Sequence, residues 1–161
     1  MLISKEYLDQ QKKLHEGIYG LSAWKWADRV KHHQDILDYG CGKRSLEAEL
    51  GRPIANYDPC IPGLENNNEP HDFVFCGDVL EHIEPTLLDN VLQDIKRCMK
   101  KEGLIIISTV KAGKSLPDGR NAHLIVEDHK WWRTELTKYF VIDKEEVEPK
   151  QYIVEVSNGT R

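Results

Sequence analysis

The sequence predicts an α/β protein: a three-layer sandwich around a mostly parallel sheet, closed by an antiparallel terminal hairpin. Three observations carry this. Phe73-Val74-Phe75-Cys76 and Leu104–Thr109 are continuous apolar runs, the pattern of strands buried on both faces. Between them, Leu87, Leu88, Val91, Leu92, Ile95 and Met99 recur at helical spacing. At the end, 141–146 and 151–157 alternate as a hairpin would around Glu148-Pro149-Lys150. Strand and helix alternating in this way build a parallel sheet with helices on its faces.

Each element follows from local signals. Residues 3–33 carry a helical apolar set that includes Tyr7, Leu14, Leu21, Trp24 and Val30, with Gly17 and Gly20 dividing it into two helices. A first strand spans Asp35–Asp38. A short helix, Ser45–Leu50, stops at Gly51-Arg52-Pro53, and a second strand spans Ile54–Asp58. Pro59–His71 holds three prolines and three consecutive asparagines and reads as loop. The helix after Phe73–Cys76 is expected over Thr86–Lys101, capped by Gly103. Val110–Ala122 is a glycine-containing loop, and Glu127–Phe140 a further helix with Trp131 and Trp132 as packing residues. The expected organisation is a single domain, 1–161, in which a helical lid over 1–34 precedes a core over 35–161.

The chain has 161 residues and a net charge of −5, which disfavours indiscriminate binding to nucleic acid or anionic membrane. No apolar run approaches the roughly 20 residues of a membrane span. The four cysteines form no Cys-x-x-Cys pair and read as reduced thiols of a cytoplasmic protein.

The most informative stretch is Ile36-Leu37-Asp38-Tyr39-Gly40-Cys41-Gly42, an apolar strand ending in an acid and followed by two glycines. The next strand also ends in an acid, Asp58, at about the interval where a Rossmann-type sheet meets a ribose. A third string, Cys76-Gly77-Asp78-Val79-Leu80-Glu81-His82-Ile83, follows the third apolar segment. Together with the terminal hairpin, these motifs resemble the class I S-adenosylmethionine-dependent methyltransferases over roughly Asp35 to Ser157. The resemblance implies a Rossmann-like fold and S-adenosylmethionine as cofactor. It places Asp38, Tyr39, Gly40, Gly42, Asp58, Pro59, Asp78 and Val79 at the cofactor. A nicotinamide or flavin fingerprint would instead need a glycine at Ser45.

Two departures qualify the resemblance. Arg44 stands where the family usually has a third glycine, so its side chain must point away from the ligand or towards its carboxylate. Only a loop separates Asp58 from Phe73, so the family's third strand is expected to be deleted, leaving the second strand at the sheet edge. The adenine contact normally made after that strand has no evident counterpart; Leu64, Cys76, Gly77 and Val79 are candidates.

For chemistry, Glu81, His82 and His123 are the candidate catalytic groups. Some family members, including ubiquinone-pathway O-methyltransferases and small-RNA 2′-O-methyltransferases, bind a divalent metal through a related string. That makes Asp78, Glu81, His82 and His123 a candidate metal set, against the alternative that acid and histidine serve as cap and packing. Arg120, Asn121 and Tyr19 are candidate substrate contacts, Arg120 suiting a phosphate or carboxylate. Tyr19 and Trp24 are placed to close over the cofactor. His15, His71 and His129 read as surface residues. The function expected is O-methylation of a small or glycan-like, anionic acceptor. The alternatives are a non-catalytic or partner-dependent cofactor-binding module and an RNA ribose 2′-O-methyltransferase. The oligomeric state is not specified by the sequence.

Overall fold

The computed structural model describes residues 1–17 and 20–159. Helix α1 (Lys5–His15) starts at Ser4, whose side chain accepts the Tyr7 amide. A 3-10 turn over Ala23–Trp26 runs into the short helix α2 (Ala27–Val30). Then come β1 (Ile36–Tyr39), α3 (Ser45–Leu50), β2 (Ala55–Tyr57), β3 (His71–Gly77), α4 (Leu88–Cys98), β4 (Met99–Ser108), α5 (His129–Leu136), β5 (Val141–Val147) and β6 (Gln151–Ser157).

One six-stranded sheet has the order β2-β1-β3-β4-β6-β5. The pairs among β1, β2, β3 and β4 are parallel, while β6 runs antiparallel to both β4 and β5. The predicted architecture is therefore observed. The deleted third strand is observed too, because β2 is an edge strand with β1 as its neighbour.

The pleat divides the core into two layers. Leu37, Val74, Cys76, Ile105 and Ile107 face α4 and α5, where Leu92, Ile95, Trp132 and Leu136 are buried. Ile36, Phe73, Phe75, Leu104 and Ile106 face the other way, onto Ala27, Val30 and Leu46 from α2 and α3. Trp132 is fully buried and Trp131 packs beside it, so both are packing residues as expected.

Several boundaries differ from the sequence reading. Helix α4 stops at Cys98, and Met99 is already extended, with φ −97° and ψ 103°. Gly103 does not cap it. It lies within β4, opposite Val74 and Val156. A methyl group there would sit 2.6 Å from both the Val74 carbonyl oxygen and Met99 Cε, so glycine is required by close packing. Helix α5 starts later than expected because the Asp128 carboxylate accepts the Trp131 amide at 2.9 Å and sets its first turn, and it gives way to turn after Leu136. Among the described residues no helix is long and apolar enough to cross a membrane.

Candidate active site

The four parallel strands point the same way, so their carboxyl ends gather at one edge of the sheet, where open α/β sheets place their ligands. β1 runs into Gly40, β2 into Asp58, β3 into Asp78 and β4 into the loop 109–128. These ends surround one cavity of about 690 Å³. Its fourth side is α1 and the segment leading to the 3-10 turn.

The glycine loop is shaped by what packs on it. Gly40 has φ 82°, and a methyl group there would lie 2.3 Å from Val79 Cγ2. The Gly40 and Cys41 amides donate to the Tyr57 carbonyl at 2.8 and 3.0 Å, tying the loop to the end of β2. The Lys43 amide donates to the Gly20 carbonyl at 3.1 Å, and the Lys43 ammonium to the Gly17 carbonyl. Arg44 adopts the left-handed backbone, φ 59° and ψ 37°, that a glycine would take freely. Its side chain is half-exposed near Glu47 and does not line the cavity.

Asp58 is buried, yet it lines the cavity. Its two carboxylate oxygens accept the Gly42 and Cys60 amides, each at 2.9 Å. Those bonds fix its orientation and leave each oxygen a further lone pair for a ligand hydroxyl. Asp38 lies behind the loop and is almost wholly buried. Burial, and then the charges of Asp58 and Glu47, push its carboxyl up to about 8. Its Oδ2 has no hydrogen-bond partner among the described residues.

Asp78 also has a positive φ, 56°, rare for a non-glycine residue and characteristic of strained functional turns. Its carboxylate accepts the Ser22 hydroxyl at 2.8 Å, so the N-terminal segment is bound to the end of β3. Glu81 is fully buried; Oε1 accepts the Ser108 amide at 3.2 Å, and Oε2 has no partner among the described residues. Burial, then the Asp78 charge, raises its pKa well above the usual carboxylate range.

His82 and His123 stack edge to face, with ring centroids 4.7 Å apart. His82 Nδ1–H donates to the Ala122 carbonyl at 2.9 Å, and His123 Nδ1–H to the Val110 carbonyl at 2.6 Å. A carbonyl can only accept, so each neutral ring keeps its lone pair on Nε2. Burial, and then the neighbouring His123, pull His82 down to about 4, so it is neutral at ordinary pH. One ligand atom each from Glu81, His82 and His123 lie within 4.8 Å of one another, a group that can hold a divalent cation. Of the four residues expected, Asp78 lies outside that group, its carboxylate accepting the Ser22 hydroxyl.

The structure thus brings Gly40, Gly42, Asp58, Pro59, Asp78, Val79, Glu81, His82 and His123 around one cavity. It does not bring Tyr39 there. That side chain is buried in the core and its hydroxyl donates to Asp94 at 2.7 Å. Arg120 does not line the cavity and is held by Asp118 at 2.8 Å. Asn121 is spent on the loop itself, donating to the Ala112 carbonyl and accepting the Ala112 and His123 amides. Tyr19 lies outside the described residues. Leu64 and Cys76 do not line the cavity, whereas Gly77, Val79, Pro59 and Cys60 do.

Other lining residues escaped the sequence reading. Tyr7, Gln11 and His15 all face the cavity from α1. Their spacing of four residues is the signal that could have found them, since it puts all three on one helix face. His15 is half-buried at the site instead of a surface residue. Lys25, Lys111 and Lys114 line the cavity and are exposed, so they mark its mouth.

A sheet with this strand order and antiparallel end, and a cavity built from Gly40–Gly42, Asp58 and Asp78, is the class I methyltransferase arrangement. The structure of a Burkholderia thailandensis 1,6-didemethyltoxoflavin-N1-methyltransferase with bound S-adenosylhomocysteine is similar, with a TM-score of 0.67 and 16% identity, covering 98% of this chain and 91% of that one. Magnesium protoporphyrin IX methyltransferase from Synechocystis PCC 6803 is similar at a TM-score of 0.57 and 14% identity, covering 94% and 81%. Identity this low speaks for the fold alone. The methyltransferase-domain family matches residues 10–147, and the chain belongs to that family. A search of curated proteins by sequence returned no match.

Proposed function

We propose that the chain transfers the methyl group of S-adenosylmethionine to a hydroxyl of a small or glycan-like acceptor carrying an anionic group, with His123 as base. The observation that carries this reading is a single cavity shared by the acid-terminated strand ends, His123 and three exposed lysines. The orientation of Asp58, with lone pairs remaining on both oxygens, supports its holding the ribose hydroxyls. Pro59, Cys60, Gly77 and Val79 supply the adenine with an apolar slot, in which Gly77 and Val79 are candidates from the sequence and Cys60 is not. The glycine loop would hold the methionine end, with Asp38 supporting it from behind.

The cofactor supplies an electrophilic methyl group on a good leaving group, so the reaction needs in-line alignment in a dry site more than acid catalysis. A hydroxyl acceptor must lose its proton, and His123, with Nδ1–H committed to the Val110 carbonyl, offers Nε2 to take it. Neutral His82 beside it adds no competing positive charge. Lys25, Lys111 and Lys114 at the mouth take over the anion-binding role that the sequence assigned to Arg120. Four free, buried cysteines fit a cytoplasmic setting.

The test has two parts. Calorimetry should show S-adenosylhomocysteine binding to the wild-type protein and no measurable binding to Asp58→Ala. Methyl-labelled cofactor is then offered with paired hydroxyl acceptors differing only in a carboxylate or phosphate. The charged member should be methylated preferentially, and Lys111→Ala with Lys114→Ala should raise its KM while leaving the neutral analogue unaffected. A preference for neutral acceptors that ignores these lysines would sink the acceptor assignment.

A further inference from the structure

We propose that His15, Asp58 and Cys60 form a second cation site, selective for a borderline-soft metal such as zinc, whose occupation excludes the cofactor. One ring nitrogen, one carboxylate oxygen and the Sγ of these residues lie within 4.8 Å of one another. They come from three places: the last turn of α1, the end of β2, and the turn just after it. Imidazole, carboxylate and thiol are the three donor types zinc accepts, and the sulfur selects against magnesium and calcium.

The site is built in more than proximity. Asp58 and Cys60 are buried, and the Cys60 amide donates to Asp58 Oδ1 while the Gly42 amide donates to Oδ2. Hydrogen bonds of this kind orient a ligating carboxylate in advance of the metal. Zinc bonds of about 2.0–2.3 Å put tetrahedral ligands about 3.5 Å apart, so donors within 4.8 Å of one another need to close by only about an ångström as the metal binds. All three residues line the cavity, which leaves the fourth position open to water. Binding releases the Cys60 thiol proton to solvent. The sulfur also separates this site from the Glu81, His82 and His123 group, which offers only oxygen and nitrogen.

Exclusion of the cofactor is the part that rests on the cofactor reading of Asp58. Each Asp58 oxygen has one lone pair left after its amide bond, so zinc on either oxygen takes one of the two acceptors a ribose diol would use and puts a cation in the space of the hydroxyls. Zinc would then act as a competitive inhibitor of the methyl donor.

Cobalt(II) titration of the full chain, without cofactor, tests the site. The expected result is a near-ultraviolet sulfur-to-cobalt charge-transfer band, lost in Cys60→Ser and retained in Cys98→Ser. His15→Asn, which leaves the thiol in place, should weaken zinc binding at least about tenfold, since changes in the outer shell alone reach that scale. A cobalt spectrum without the sulfur band, or one that survives Cys60→Ser, overturns the site. Calorimetry with S-adenosylhomocysteine tests the exclusion. Zinc should weaken that binding in the wild type and far less in His15→Asn; undiminished binding of the wild type with zinc present overturns the exclusion. Failure of S-adenosylhomocysteine to bind the zinc-free protein overturns the cofactor reading instead, and the cobalt titration still decides the metal site.

Discussion

Gly20 and Gly42 meet backbone against backbone: a methyl group on Gly42 would lie 2.7 Å from the Gly20 carbonyl oxygen and 2.8 Å from its Cα. The contact joins the N-terminal segment to the glycine loop and closes one wall of the cavity. Gly42→Ala therefore combines a clash with an unfavourable φ of 53° and should cost about 1–3 kcal/mol of stability. Gly51 separates the two effects. It has φ 67° with nothing within 4 Å of where a methyl group would sit, so Gly51→Ala should cost only about 1–2 kcal/mol. In urea denaturation and calorimetry, only Gly42→Ala should also weaken S-adenosylhomocysteine binding. Equal effects of the two variants on affinity would show that the contact does not shape the site.

Arg44 holds a left-handed backbone at the start of α3, and among the described residues its side chain has only a distant ion-pair partner, Glu47 at 4.0 Å. Relief of that conformation is worth about 1–2 kcal/mol, and glycine's greater unfolded freedom takes back about 0.5–1 kcal/mol. Arg44→Gly should therefore stabilise the protein by about 0.5–1 kcal/mol. A lower denaturation midpoint would mean that the side chain contributes more than its exposure suggests.

His123→Ala should leave S-adenosylhomocysteine affinity unchanged and reduce turnover of a hydroxyl acceptor by about 10²–10⁴, the usual scale of general-base loss. Turnover that persists undiminished rules His123 out as the base.

His82 has a defined pH signature. Its pKa is depressed from 6.5 to about 4 in the folded state, so the unfolded chain takes up a proton first as pH falls. Its contribution is present above the unfolded value and is lost between about pH 6.5 and 4, amounting to about 3 kcal/mol. Glu81 acts oppositely. Its raised pKa favours the folded state at low pH, and that contribution is lost as pH rises through the folded value. Denaturation with a chelator present should show that His82→Gln loses less stability than the wild type between pH 7 and pH 4.5. Parallel pH dependences would show that His82 is not buried neutral.

Trp132 is fully buried against Leu136 and the sheet, whereas Trp131 only packs beside it. Trp132→Ala should cost about 3–5 kcal/mol in urea denaturation, and Trp131→Ala much less. A strong loss of activity from Trp131→Ala at unchanged stability would point to a substrate role for that ring.

What the sequence determined by itself is local. Hydrophobic period separates buried strands from amphipathic helices, and the shortness of 59–71 leaves no room for the family's third strand. Gly40, Gly42 and the strand-terminal acids Asp38 and Asp58 are legible because a turn of this kind needs those residue types in a fixed order. Gly103 shows the limit: a glycine after a helical run reads as a cap, but the approach of Val74 and Met99 makes it a strand residue. The tertiary structure alone decided which side chains meet. Ser22 binds Asp78, Asp118 holds Arg120 away from the cavity, and α1 delivers His15 to Asp58 and Cys60. Those pairings join residues that mostly lie far apart in the chain, and their geometry is set by how α1 and the loop after β4 pack over the sheet, which no local pattern encodes.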